Sequence, residues 1–236
     1  MALQLNKQLK IEQNNLNWRY DMFITLEGPD GSGKSTIILG LIERLLSKKN
    51  NLKYVITREP GGRDIKEAEA IRKIILDGES NLSSKAEAML YSASRRIHID
   101  RVISPALKEN KLVLCDRYID SFYAYQGYAR DLGIEWVKNI TEMVIDDFVP
   151  NITIYLDINY EQSAHRRFVT RVITDRLDAE SEEFHKKVID GYKSIIKSDP
   201  NRFIVIDAWR SISEILDDII KALFERKDFK EWWEQV

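Results

Sequence analysis

Lys34, Ser35 and the glycines Gly28, Gly31 and Gly33 stand close together in Gly28-Pro29-Asp30-Gly31-Ser32-Gly33-Lys34-Ser35-Thr36. Their spacing fits GxxxxGK[ST], and the apolar run Phe23-Ile24-Thr25-Leu26 leads into it. Glycines let the backbone fold so that its N–H groups converge on an anion. A helix starting at this point adds the positive end of its dipole. Lys34 then supplies a point charge for the outer phosphates of a nucleotide, and the Ser35 hydroxyl a ligand for a Mg²⁺ that bridges them. Residues 28–36 therefore read as a phosphate cradle.

Other chemistry-bearing groups sit at the ends of apolar runs. Arg58 follows Tyr54-Val55-Ile56 and opens toward Glu59-Pro60-Gly61-Gly62. It is an anion-binding candidate, or else the partner of Glu59 or a neighbouring acid. Asp116 and Arg117 close Leu112-Val113-Leu114-Cys115; a carboxylate there is placed to assist Mg²⁺, and Arg117 enters the same crevice. Tyr91, Arg95 and His98 fall on one helical face, where a ring and a guanidinium can stack on a base and bond its carbonyl edge. An ordinary surface Tyr/Arg pair gives the same pattern, and His98 reads as structural. Arg166, Arg167, Arg171 and Arg176 crowd one later stretch. The cradle holds no arginine, so an arginine-bearing lid over about 166–180 is expected to neutralise charge on a phosphoryl group in transfer and to exclude water. A solvated helix face is the alternative.

Apolar periodicity supplies the elements that position these groups. Five short apolar runs, beginning at Phe23, Tyr54, Leu112, Ile152 and Phe203, alternate with helical patterns. The expected fold is α/β, a five-stranded mainly parallel sheet with helices on both faces, with ligands outside the carboxyl ends of the strands. Ser83 or Ser84 is an N-cap candidate, and Ile212 to Leu223 give an amphipathic last helix within about 211–226. Residues 1–21 read as an appended, poorly ordered tail, 22–226 as a single domain, and 227–236 as a C-terminal tail with an unexplained Trp232-Trp233 pair.

Composition narrows the function classes. The 236 residues carry 36 basic and 38 acidic side chains, and a net charge of -2 gives no reason to expect nucleic acid or a membrane surface as partner. One cysteine, Cys115, allows no disulfide framework and suits a reducing cytoplasm; it reads as a buried structural thiol. No run approaches the roughly 18 apolar residues of a membrane span.

Taken in order, FITLEGPDGSGKST at 23–36, TREPGG at 57–62, the Tyr91 to His98 helix, DRY at 116–118, AYQG at 124–127, TIYLD at 153–157 and DRL at 175–177 resemble thymidylate kinase. The resemblance spans about 22–210. It implies a P-loop NTPase fold with a helical lid, transfer of the γ-phosphoryl of ATP to dTMP in dTTP synthesis, and a homodimer. It also implies roles. Gly28 to Thr36 would bind ATP, with Ser35 and Asp116 on Mg²⁺. Arg58 and Arg117 would hold the acceptor phosphate. Tyr91 would stack on thymine, Arg95 would bond its exocyclic oxygen and Gln126 would approach its Watson–Crick edge. Asp30 would accept from the 3′-hydroxyl and Tyr125 would crowd the 2′ position. Lys34, Arg117, Asp30 and Arg171 would carry catalysis, because a loop without arginine is similar to the bacterial form, whose catalytic arginine lies in the lid.

The chain departs from the family's usual pattern at Arg63 after the glycine pair, Ser94 before Arg95, Phe122 near the base pocket, and Val172-Ile173-Thr174 in the lid. Two other readings stay open. One is a kinase for another nucleoside monophosphate or a deoxynucleoside. The other is a regulatory nucleotide switch, against which stands the lack of an NKxD-type motif.

Overall fold

A computed structural model describes residues 22–170, 176–177 and 179–236. The proposed tail 1–21 and the lid residue Arg171 lie outside the described residues. The five strands are β1 (Phe23–Glu27), β2 (Tyr54–Arg58), β3 (Leu112–Asp116), β4 (Ile152–Asp157) and β5 (Phe203–Asp207). They form one sheet in the order β2-β3-β1-β4-β5, with every pair parallel. Strand direction thus puts the end of β1, where the cradle begins, between the ends of β3 and β4, at the reversal of strand order where α/β sheets bind ligands.

The helices are α1 (Lys34–Lys48), α2 (Lys66–Leu76), α3 (Ser84–His98), α4 (Ser104–Lys108), α5 (Ile119–Phe122), α6 (Ile134–Ile145), α7 (Tyr160–Thr170), α8 (Glu182–Ser198), α9 (Ile212–Glu225) and α10 (Lys227–Trp233). Two widened, π-helical stretches, Ile99–Ile103 and Tyr123–Ala129, continue α3 and α5. The period-2 alternation of each strand sorts its side chains to two cores. Ile24, Leu26, Leu112 and Leu114 pack with Ile38 and Leu41 of α1 and Ile219 of α9. Phe23, Val113 and Cys115 pack on the other face with Ile99, Val137 of α6 and Tyr192 of α8. The sheet is therefore buried on both faces, as parallel strands require.

Local signals account for the helix starts. Ser83 accepts from the Ala86 N–H at 3.2 Å, and Ser211 with Glu214 forms a reciprocal capping box at the start of α9. The C-terminal end differs from the expected tail. Lys227–Trp233 is helical, and Phe229 and Trp232 are buried against the core. Phe224, Phe229, Trp232 and Trp233 pack ring against ring, and Lys49 donates to the Trp233 and Val236 carbonyls. Too short to show a convincing helical period among charged residues, this segment is fixed by aromatic burial.

Candidate active site

The cradle is built from backbone that side chains would block. Gly28 has φ +144°, and a Cβ there would sit 2.7 Å from the Leu156 carbonyl oxygen. Gly33 is the N-cap of α1 at φ 95°, with no side-chain cap and no acid in the first turn. The first N–H groups of α1 therefore remain uncapped by side chains at the positive end of the helix. Lys34 is buried, and its ammonium donates to the carbonyls of Gly28 at 3.1 Å and Pro29 at 3.0 Å. Burial, seconded by Arg117, lowers its pKa to about 8, while Asp116, Asp30 and Glu27 oppose the fall. The Ser35 hydroxyl donates to Asp116 Oδ2 at 2.7 Å, so the strand end and the helix start bring the two expected metal ligands together.

Arg117 lies just past β3 at φ 69°, a left-handed conformation that turns its side chain back over the strand ends. Its guanidinium fork is filled. Nη2 donates to Asp30 Oδ1 at 2.8 Å and to the Tyr125 hydroxyl at 3.3 Å. Nη1 donates to Ser121 at 3.0 Å and to the Tyr192 hydroxyl at 3.2 Å. Tyr125 donates in turn to Asp30 Oδ2 at 3.0 Å, and its ring lies 5.1 Å beneath the guanidinium. Behind this cluster stands Glu27, the last residue of β1 and fully buried. It accepts from the Tyr118 N–H at 2.7 Å, from Ser121 at 2.5 Å and from Tyr192 at 2.8 Å. Burial, and then the neighbouring Asp120, push its carboxyl up, while Arg117 pulls it back.

Arg58 donates to the Pro60 carbonyl and to Glu69, both at 2.9 Å, and Arg72 of α2 donates to the same carbonyl. The acid that pairs with Arg58 is thus Glu69 and not its sequence neighbour Glu59. Glu59 is buried with Arg95 (2.8 Å) and His98 (3.0 Å), and His98 also meets the Thr57 hydroxyl. His98 is fully buried between these partners. Arg95 is stacked between Tyr118 and Phe122, with its guanidinium 5.3 and 5.0 Å from their ring centroids. Its Nη1 is buried and has no partner among the described residues. Phe122 packs on Arg95 and Tyr91, and Ser94 accepts from the Gly61 N–H at 3.1 Å, so both departures serve the packing of this corner. Arg63 is exposed.

These groups surround one cavity of about 370 Å³, lined among others by Asp30, Lys34, Arg58, Tyr91, Arg117 and Gln126. Arg95 is not among its lining residues and stands behind it. At the far end Gln126 Nε2 donates to Glu87 at 2.9 Å, and Arg130 and Arg176 close on the same carboxylate. Arg176 also donates to the Ile75 carbonyl at 2.9 Å, which ties the end of the lid stretch to α2. On the other side of the cradle, Arg166 donates to Ser32 and Ala208 carbonyls and lies 4.9 Å over the Trp209 ring. His165, Arg166, Val169, Trp209 and Arg210 line a shallow cleft there.

Sequence reasoning missed Glu27, Tyr192, Arg72 and Glu87. Glu87 alone left a trace, standing four residues before Tyr91 and so extending the Tyr91/Arg95 stripe by one turn.

A family description, thymidylate kinase, matches residues 26–219. A thymidylate kinase of Mycoplasmopsis agalactiae is 62 % identical over 212 residues, covering 90 % of this chain and 99 % of that protein. One from Staphylococcus haemolyticus is 47 % identical over 86 % of this chain and 95 % of its own. The crystal structure of thymidylate kinase from Ehrlichia chaffeensis matches with a TM-score of 0.70 and 35 % identity, covering 86 % of this chain and 98 % of that one.

Proposed function

We propose, since this chain belongs to the thymidylate kinase family, that its cleft carries the γ-phosphoryl of ATP to dTMP, giving dTDP and ADP. Phosphorylation of dTMP by an ATP-dependent nucleoside monophosphate kinase follows from membership of the family. The assignment of residues to roles is our reading. It rests on one observation above others: two arginines, Arg58 and Arg117, line the same cavity as the cradle residues Lys34 and Ser35. A cavity in which two arginines stand beside a phosphate cradle suits two phosphorylated substrates meeting phosphate to phosphate.

Gly28, Pro29, Asp30, Gly31, Ser32, Gly33, Lys34, Ser35 and Thr36 hold the ATP phosphates, and the cleft of Arg166 and Trp209 seats its adenine. Arg58 and Arg117 fix the acceptor phosphate, which is already an anionic nucleophile and needs no strong base. Asp30 and Tyr125, held by Arg117, meet the deoxyribose. Tyr91 stacks on thymine and Gln126 meets its Watson–Crick edge; Arg95 does not line the cavity, so its buried, unpartnered Nη1 serves as donor to the thymine carbonyl only by opening the wall in front of it on binding. Ser35 and Asp116 offer a hydroxyl and a carboxylate 2.7 Å apart, a hard-oxygen pair that fits Mg²⁺ bound mainly through phosphate and water. Such an ion, held by Ser35 and Asp116, would neutralise phosphate charge there. Arg171 acts from the lid on the phosphoryl group in flight. An Arg171→Ala variant is expected to lose orders of magnitude in kcat without unfolding; near-normal turnover would move the role to Arg166, Arg167 or Arg176.

We read residues 22–236 as the kinase unit, the helix Lys227–Trp233 included, and the active form as a cytoplasmic homodimer. No helix among the described residues is long and apolar enough to cross a membrane. The acceptor reading is tested by ADP release with dTMP against thymidine: dTMP wins if Arg58 and Arg117 hold a phosphate, and preference for the nucleoside refutes it.

A further inference from the structure

Glu87 is fully buried on α3, one turn before Tyr91. Its Oε1 accepts from Gln126 Nε2 at 2.9 Å and from Arg130 Nε at 3.3 Å. Its Oε2 accepts from Arg130 Nη2 at 3.3 Å and from Arg176 Nη2. Burial alone would raise its pKa, but the Arg176 hydrogen bond and Arg130 outweigh burial and hold the carboxyl below its ordinary range. Glu87 is therefore ionised at neutral pH and accepts only.

A glutamine amide has a donor end and an acceptor end of nearly identical shape. An acceptor-only partner removes the ambiguity: the Gln126 NH₂ must face Glu87. Oε1 is then the amide atom left for the cavity that Gln126 lines.

We propose that Glu87 is a specificity-determining positioning residue, locking the Gln126 amide with its carbonyl toward the acceptor base so that the pocket takes a ring with an N–H at that edge and rejects one with a bare ring nitrogen. The proposal rests on reading this cavity as the acceptor nucleotide site. Thymine and uracil carry N3–H beside the C4 carbonyl, whereas cytosine carries an N3 lone pair beside an amino group. An Arg95 donor and a Gln126 acceptor match the first pair of groups and oppose the second at both positions. In a dry pocket a mispaired polar group is rejected far more strongly than a missing methyl. A glutamine free to turn its amide over would serve either ring, so discrimination requires the lock. No side chain able to donate could replace Glu87 in this role.

The test is kcat/KM for dTMP, dUMP and dCMP, measured on the full chain as wild type, E87Q, E87D, Q126L and E87Q/Q126L, with thermal melting of each. E87Q can face Gln126 with either end of its own amide, and we expect the dTMP-to-dCMP ratio to narrow at least about tenfold. The dTMP-to-dUMP ratio, which reports only the 5-methyl group, stays within about twofold. In the Q126L background the E87Q change moves the dTMP-to-dCMP ratio by less than about twofold, because the group through which Glu87 acts is gone. Equal losses for all three acceptors would overturn the proposal and leave Glu87 an anchor for Arg130 and Arg176. So would an undiminished E87Q effect on the ratio without the Gln126 amide. Should E87Q melt below the assay temperature, E87D carries the same expectation: it keeps the charge for both arginines and withdraws the acceptor from Gln126 by one methylene. A wild-type enzyme that does not prefer dTMP to dCMP would instead refute the acceptor-site reading itself, whatever the variants do.

Discussion

Arg117→Lys preserves charge and removes geometry, and it isolates what the acceptor-side arginine contributes. The guanidinium serves two sides at once, Asp30 and Tyr125 from Nη2 and Ser121 and Tyr192 from Nη1, at 2.8 to 3.3 Å. A lysine ammonium is a single nitrogen ending one bond short, and it cannot span both sides. It keeps the Asp30 side, where the charge is, and loses the Ser121 and Tyr192 side. Two lost bonds at about 1 kcal/mol each, plus displacement of the cation from the cavity, come to about 2–3 kcal/mol. Those bonds set the loss of stability, whereas the cation displaced by about 1 Å from the acceptor phosphate is expected to cost roughly 100-fold in kcat/KM for dTMP. The KM for ATP should change by no more than about threefold, since a uniform loss of donor binding is not involved. The melting temperature should fall by about 4–10 °C for a chain of this size. Steady-state ADP release with each substrate varied in turn, alongside a thermal melt, reads all three quantities. A variant within about threefold of wild type for dTMP would refute the reasoning, because charge alone would then suffice.

Other perturbations separate catalysis from stability. Lys34→Met should abolish all but a trace of turnover while leaving the melting temperature within about 3 °C or raising it, because the buried ammonium, with a pKa lowered to about 8, costs desolvation that methionine does not. Trp232→Ala should cost about 3–5 kcal/mol, a drop of about 6–20 °C in Tm, with kcat little changed; a drop below about 2 °C would return the C-terminal segment to a tail. Glu87 in the folded state titrates below its ordinary 4.5, so its stabilisation is complete above that pH and is lost as pH falls through the folded value. The Tm gap between wild type and Glu87→Gln should therefore be widest near neutrality and should narrow below about pH 4.5; a gap that widens on acidification would reverse the sign of the argument.

What could be read from the chain alone was whatever is local in sequence. The glycine spacing of the cradle, the apolar strands and the acid-base pair at 116–117 are each contiguous, and period-2 and period-3.6 patterns place them at one edge of a parallel sheet. What escaped was held by distant partners. Glu27 meets Tyr192 across 165 positions, and Arg176 meets Glu87 across 89. No local pattern marks a buried glutamate as the acceptor for two hydroxyls from other helices. Arg95 shares a helical stripe with Tyr91, but its burial against Glu59 and Phe122, behind the cavity, depends on a loop and a helix that the stripe does not reveal. The C-terminal aromatics were visible and uninterpretable, because whether Trp232 packs inward or faces solvent is decided by α1 and α9 beneath it.

The central claim is a thymine-selective phosphoryl transfer between the cradle and the paired arginines. The most direct measurement is kcat/KM by coupled ADP release, with ATP and Mg²⁺, across dTMP, dUMP, dCMP, dAMP and dGMP. The account predicts that dTMP stands highest and dCMP far below it. If dCMP or a purine monophosphate stood highest, the roles given to Tyr91, Arg95 and Gln126 would be contradicted.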